Sequence, residues 1–269
     1  MREPLLSLQG LRINDPSGNT LVDGVSIELF DREFVGIVGE SGSGKSLTAL
    51  ALLHAVPEGL TVEYETLHMF NQEVGKMSDQ KRRTVIGKKV GYVAQNTVAF
   101  LHPFIKIKKQ IGDGYRYHFK KSRRDSDKKA TRILELVGID DPERILNSYP
   151  FELSGGMKQR VQIASALMTD PEIIIADEPT TALDTIHQRQ VMNLFAELNQ
   201  NLGIPILFIS HDLHIIKKYC QRLYVMHEGK IVESGPVEKV FAHPEHPYTK
   251  KLVASTLFLD EAHREREES

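Results

Sequence analysis

The sequence predicts an α/β fold, a mainly parallel sheet with helices on both faces. Two observations predict it. Strand-sized apolar or alternating runs recur along the chain, with helix-patterned stretches between them. A glycine-rich loop, GESGSGKS at 39 to 46, stands where one such strand gives way to a helix.

Taken in order, LLSLQGLRI (5 to 13) alternates as a strand does, and NDPSGN (14 to 19) is a turn. VSIELF (25 to 30) and FVGIV (34 to 38) read as strands. KSLTALALLHAV (45 to 56) reads as a helix that stops before Pro57. A variable region follows, then the strand KVGYVAQ (89 to 95). Residues 104 to 150 are mostly helical in pattern. In KKATRILELVGI, Ile133, Leu134 and Val137 recur at helical spacing, and Gly138 and Pro142 mark the ends. From Leu153 the chain runs helix, strand EIIIAD (172 to 177), helix 184 to 202, strand PILFIS (205 to 210), helix 212 to 219 and strand RLYVMH (222 to 227).

The bulk numbers narrow the function. A chain of 269 residues can form one large domain, or a domain with a sub-domain. Its 41% apolar and 26% charged residues are ordinary for a soluble globular protein. A formal net charge of −2 gives no global field for nucleic acid. The basic run KKSRRDSDKK (120 to 129) contains acids and no aromatics, so it reads as a solvated loop and helix start. The single cysteine, Cys220, excludes an internal disulfide framework and fits a reducing compartment. No stretch approaches the ~20 apolar residues of a membrane span, and MREPLLSLQGLRI carries no cleavage signal. A soluble chain that reaches a membrane only through partners is the expectation.

Gly39, Gly44, Lys45 and Ser46 fit the phosphate-loop pattern G-x-x-x-x-G-K-[ST]. Glycines let backbone N–H groups curl round a phosphate, and the helix that follows aims its N-terminal dipole at the anion. The loop residues Gly39, Glu40, Ser41, Gly42, Ser43, Gly44, Lys45, Ser46 and Leu47 are therefore the candidate nucleotide cradle. Lys45 reaches the β- and γ-phosphates, and the Ser46 hydroxyl ligates Mg²⁺. IIIADEP (173 to 179) ends a buried strand with two acids. Asp177 is placed to hold Mg²⁺ through water, and Glu178 to polarise an attacking water.

GESGSGKS, LSGGMKQR (153 to 160), IIIADEP, TALD (181 to 184) and ISHD (209 to 212) occur in the order and spacing of the ATP-binding cassette ATPases, which this sequence resembles over about residues 5 to 240. The resemblance implies a P-loop NTPase with an N-terminal antiparallel β part and an inserted helical sub-domain of about 96 to 165. The ATPase domain would span 1 to 240, with a short tail at 241 to 269. LSGGMKQR corresponds to the family's signature. Ser154, Gly155 and Gly156 would cover a nucleotide held by the phosphate loop of a second cassette, offering a hydroxyl and N–H groups at a helix start. Gln95 would sense the γ-phosphate and Mg²⁺, His211 would contact the γ-phosphate, and Asp184 would lie at the dimer seam. The cofactors implied are ATP and Mg²⁺.

SYPFELSGGMKQRVQIASAL and VFAHPEHPYTKKLVAS are similar to the dipeptide, oligopeptide and nickel importer branch. The implied setting is the cytoplasmic face of the cell membrane, held peripherally by two transmembrane permease subunits. A second, different cassette ATPase and, indirectly, an extracytoplasmic solute-binding protein would complete it. A homodimer is feasible, since both half-sites are present. The short tail with Cys220 alone leans to the nickel or metal-chelate subset. His243 and His246 of HPEHP are read as structural, being two histidines where a metal site wants three or four ligands. An accessory ATPase of a soluble assembly, of the carbon–phosphorus lyase type, is the alternative. The glutamine-loop region departs from the branch, with FLHP (100 to 103) in place of SLNP.

A second departure generates a prediction. The family stacks adenine on an aromatic soon after the first strand, yet here no aromatic precedes Phe30, and the turn offers Pro16. Base–aromatic stacking contributes about 1–3 kcal/mol in nucleic-acid binders. Competition binding should therefore show weak adenine preference, with GTP displacing a labelled nucleotide almost as well as ATP. Tight selectivity for ATP contradicts the prediction.

Overall fold

The computed structural model describes residues 3–95, 100–181 and 183–256. The segment 96–99, where the expected helical sub-domain opens, residue 182 of TALD and the tail beyond 256 lie outside the described residues. Along the chain come strands β1 (Leu6–Asn14), β2 (Thr20–Leu29), β3 (Phe34–Val38), β4 (Thr61–Glu63), β5 (Thr66–Met69), β6 (Gln72–Glu73), β7 (Val90–Val93), β8 (Ile173–Asp177), β9 (Ile206–Ser210), β10 (Arg222–His227) and β11 (Lys230–Pro236). The helices are α1 (Lys45–Leu52), α2 (Asp79–Lys89), α3 (Ile107–Phe119), α4 (Arg123–Leu136), α5 (Pro142–Asn147), α6 (Gly155–Leu167), α7 (Thr185–Leu202), α8 (Leu213–Tyr219) and α9 (Val237–Ala242). The chain divides into two compact units, one of 1–75 with 207–269 and one of 76–206.

In the first unit, β1 and β2 pair antiparallel, and β5 and β4 pair antiparallel with β1. Leu6, Leu8, Leu11 and Ile13 are buried. Their spacing changes parity between Leu8 and Leu11, where the register slips. A bulge there keeps all four side chains on one face. A second set of strands runs in the order β11-β10-β3-β9. β3 and β10 are parallel, and β11 folds back antiparallel on β10. Every residue of β3 and β9 is buried, the continuous apolar pattern of strands covered on both faces. The Phe34 and Phe208 rings meet edge to face, 5.9 Å between centroids.

The second unit holds the parallel pair β7 and β8 and a helical cluster. Within it α3 packs against α4, α5 and α6. The helix start expected in the basic run is present: Ser122 caps α4, its hydroxyl accepting the Asp125 N–H at 3.1 Å. Leu134 and Val137 are buried, while Ile133 is half-buried.

Several expectations need correction. The first helix stops at Leu52 rather than running to the residue before Pro57, because His54 turns left-handed at φ 51°. Pro142 does not end a helix. It occupies the first turn of α5 behind the Asp141 cap, where proline's missing N–H loses nothing. The variable region contains β4, β5, β6 and α2, and β11 was not foreseen.

Arg222 organises one end of the first unit. Its guanidinium donates to both Glu33 carboxylate oxygens at 2.7 and 2.9 Å, to the Glu28 carbonyl at 2.7 Å and to the Tyr224 hydroxyl at 2.6 Å. It also lies over the Phe30 ring. Next to this hub Arg32 adopts φ 59°, a left-handed conformation that glycine takes more readily than arginine. Cys220 is buried, and that burial pushes its thiol pKa up. Arg222→Met should cost about 2 kcal/mol, since it strips a forked ion pair and leaves Glu33 half-buried. A thermal melt should read this as a drop of about 5 °C. An unchanged melting temperature refutes the assignment.

Candidate functional site

In the first unit the loop 39–44 joins β3 to α1, so the buried strand fixes where the loop begins and the helix fixes where it ends. Lys45 is only 3% exposed. Its ammonium donates to the carbonyls of Gly39 and Glu40, each at 2.8 Å. A buried charge needs such partners, and here they belong to the loop itself. Glycine at position 39 has a steric cause. A Cβ there would lie 2.0 Å from the Met226 carbonyl oxygen of β10. The Gly229 N–H, in the turn between β10 and β11, donates to the Ser43 carbonyl at 3.1 Å. Gly44 caps α1, and the Thr48 hydroxyl donates back to its carbonyl at 3.0 Å.

Ser43 is buried, Ser46 and Leu47 are half-buried, and Glu40, Ser41 and Gly42 are exposed on the loop. His211 follows β9 directly and is exposed. Asp212 caps α8, accepting the His214 N–H at 2.8 Å. The turn at 15–19 is tied by Asp15, whose carboxylate accepts the Ser17 and Asn19 N–H groups at 2.8 Å. Hydrogen bonds to Asn19 hold the Asp15 pKa below the usual carboxylate range. Pro16 is exposed.

In the second unit two groupings form. The first is at the end of β8. Asp177 and Glu178 are 3% and 9% exposed. Glu178 adopts φ 45°, a left-handed conformation unusual for a glutamate. Gln95 Nε2 and the Thr181 hydroxyl both donate to Glu178 Oε2, at 3.0 and 2.9 Å. The Tyr92 hydroxyl lies 3.5 Å from Asp177 Oδ2. Burial, reinforced by the Asp177 charge, raises the Tyr92 pKa, so the phenol keeps its proton. Gln162, fully buried on α6, donates to the Ala94 carbonyl at 3.1 Å and anchors the strand just before Gln95.

The second grouping lies at the start of α6. The Ser154 hydroxyl caps it, accepting the Met157 N–H at 3.3 Å. Nothing crowds Gly155, but a Cβ on Gly156 would meet the His187 ring at 2.8 Å. His187 Nδ1 lies 2.6 Å from Asp184 Oδ2, and Asp184 Oδ1 accepts the Ile186 and His187 N–H groups at 3.0 Å. The His187 backbone bond, then its side-chain bond, lower the Asp184 pKa. Ser154, Gly156, Arg160 and His187 share a cavity of about 240 Å³.

The structure thus joins Gln95 to Glu178, and it joins Asp184 to Gly156 through His187. Sequence reasoning missed Tyr92, Thr181, Gln162 and His187. Gln162 carried a signal, a polar residue inside the apolar run of α6. The proposed Mg²⁺ donors, the Ser46 hydroxyl, the Gln95 amide and the Asp177 carboxylate, all offer the hard oxygen that this ion takes. Among the described residues no cluster of three histidine, cysteine or acidic side chains could hold a metal, and no helix is long and apolar enough to cross a membrane.

Comparison with known proteins adds three findings. The family described as ABC transporter matches residues 22–181, and the oligopeptide/dipeptide transporter C-terminal region matches residues 232–269. A probable peptide ABC transporter ATP-binding protein of Sinorhizobium fredii is 42% identical over 86% of this chain and 70% of its own. A probable D,D-dipeptide transport ATP-binding protein of Escherichia coli is 40% identical over 94% of this chain and 78% of its own. Among solved structures, a dimeric post-hydrolysis ATP-binding cassette bound to ADP and Pi superposes with a TM-score of 0.75. It is 26% identical over 86% of this chain and 98% of that one.

Proposed function

The chain belongs to the ABC transporter family of ATPases, and from that premise we propose that it is the ATP-hydrolysing subunit of a peptide or dipeptide importer. The observation that carries this is the pairing of the two family matches on one chain, at 22–181 and 232–269. The relatives named above favour peptides over nickel or metal chelates as cargo.

In this reading the loop from Gly39 to Leu47 cradles the β- and γ-phosphates of ATP, and Lys45 shifts part of its hydrogen bonding from the loop carbonyls to phosphate oxygens. Ser46, Gln95 and Asp177 would hold Mg²⁺, which would neutralise phosphate charge. Glu178 polarises the attacking water. Two donors on Oε2 fix the orientation of its carboxylate, as a general base needs. His211 contacts the γ-phosphate and orients the water. Ser154, Gly155 and Gly156 cover the nucleotide of a second cassette, and Asp184 lies at that seam. The dimeric relative bound to ADP and Pi supports this arrangement.

The second cassette is a different chain, and two permease subunits hold the pair at the cytoplasmic face of the membrane. A solute-binding protein outside the membrane selects the cargo. Phe104 and Phe151 of the second unit are 77% and 64% exposed, and a permease is the partner that would cover them. ATP favours the closed dimer, and hydrolysis reopens it.

Glu178→Gln should bind ATP within about two-fold of wild type and lose roughly 10²- to 10⁴-fold in turnover. Near-normal steady-state hydrolysis removes Glu178 from its role. The same variant, trapped with ATP and purified from gently solubilised membranes, should bring down two multi-span permeases and a second cassette. Recovery of a soluble enzyme assembly, with nothing from the membrane, overturns the transport reading in favour of an accessory ATPase.

A further inference from the structure

Tyr248 belongs to none of the nucleotide motifs, yet its hydroxyl accepts the backbone N–H of Glu40, in the phosphate loop, at 2.9 Å. The ring is 7% exposed and stacks on His227, with centroids 3.8 Å apart and planes 14° from parallel. It stands at the start of a helical stretch, 247 to 256. Glu233 of β11 secures that start. Its two carboxylate oxygens accept the N–H groups of Glu245 and His246, each at 2.9 Å. His246 Nδ1 in turn accepts the Tyr248 N–H at 3.2 Å.

The contact falls on a particular peptide group. The Glu40 N–H and the Gly39 carbonyl belong to one planar unit. Tyr248 holds its N–H end, and the Lys45 ammonium is held by its carbonyl end. Rotating this plane would turn the carbonyl away from the lysine. Gly229 and Lys45 hold the loop by its carbonyl oxygens, and the Ser43 N–H donates within the loop to the Glu40 carbonyl. Glu40 is exposed, so without the phenol its N–H could turn to water.

We propose that Tyr248 is a positioning residue of the nucleotide site: by fixing the Gly39–Glu40 peptide plane it sets Lys45 for phosphate, and the docked C-terminal helix tunes ATP affinity through it. The inference rests on the nucleotide reading above. It makes Glu233 the outer link, since that carboxylate seats the turn from which the phenol reaches the loop.

The test is Tyr248→Phe in the full chain, which keeps the stacked ring and removes the hydroxyl. KM for ATP, and Kd by calorimetry with Mg·ATP, should both rise about five-fold, the effect of one lost neutral hydrogen bond. The turnover number should stay within about two-fold, since the groups proposed for the chemical step are untouched. Amide exchange in peptides covering 39 to 46 should quicken in the absence of nucleotide. Glu233→Gln should move KM and exchange in the same direction by a smaller factor. A lower melting temperature with unchanged KM and unchanged loop exchange makes Tyr248 merely structural and overturns the proposal. Should Tyr248→Phe fail to fold, Glu233→Gln decides by the same two readouts. Absence of ATP binding by the wild-type chain instead sinks the nucleotide reading, while the exchange measurement still judges the tail contact alone.

Discussion

A loop that must keep its backbone N–H groups available for an anion cannot be stiffened by a hydrogen-bond ladder of its own. Restraint has to come mostly through carbonyls and excluded volume, with the Glu40 N–H held by a phenol, and much of the first unit follows from that. The Lys45 cation, buried where a lone charge would be costly, gathers the Gly39 and Glu40 carbonyls. The end of β10 approaches so closely that only glycine fits at 39, and the turn into β11 takes the Ser43 carbonyl. β10 and β11 therefore do more than extend a sheet. They form one side of the mould in which the loop is held, and the parallel pairing of β10 with β3 sets that mould in register with the strand that delivers the loop.

The second unit solves a related problem for a carboxylate. Glu178 leaves a fully buried strand in a backbone conformation that costs on the order of 1–3 kcal/mol. Such a conformation persists only when neighbours over-determine it. Thr181 is local, but Gln95 comes from the end of β7, and Gln162 on α6 fixes the backbone just before Gln95. One buried amide on the signature helix is thus two steps from the proposed base. A substitution at Gln162 would be felt at Glu178 without touching it.

What was legible in the sequence, and what was not, follows from this geometry. Contiguous features were readable: the loop and its lysine, the acids closing β8, and strands β3 and β10, whose limits match the expected runs. Their partners were not, because Tyr92, Gln162, His187 and Tyr248 reach the site only through folding. Local surprises have local causes. Leu8 and Leu11 seem out of phase until the bulge between them is seen, and a left-handed His54 shortened a helix whose apolar pattern ran on. β4 and β6 are three and two residues long, too short to build up a period. Pro142 could be read as either a helix stop or a helix start, and only the Asp141 cap decides between them.

The tail motif HPYT shows how a sequence marker acquires a mechanism. Residue 247 is the first helical position, so His246 takes the cap and its Nδ1 accepts the N–H two residues on. Pro247 follows where a missing N–H loses nothing and a fixed φ favours the first turn. Tyr248 is then rigidly presented, and its phenol meets the Glu40 N–H. Histidine, proline and tyrosine thus have three separate jobs in one turn: to cap, to start and to reach. The spacing cannot change by one residue without rotating the tyrosine about 100° round the helix and away from the loop. A pattern that reads in sequence as a branch label is, in the structure, the geometry needed to bring a C-terminal hydroxyl to the phosphate loop.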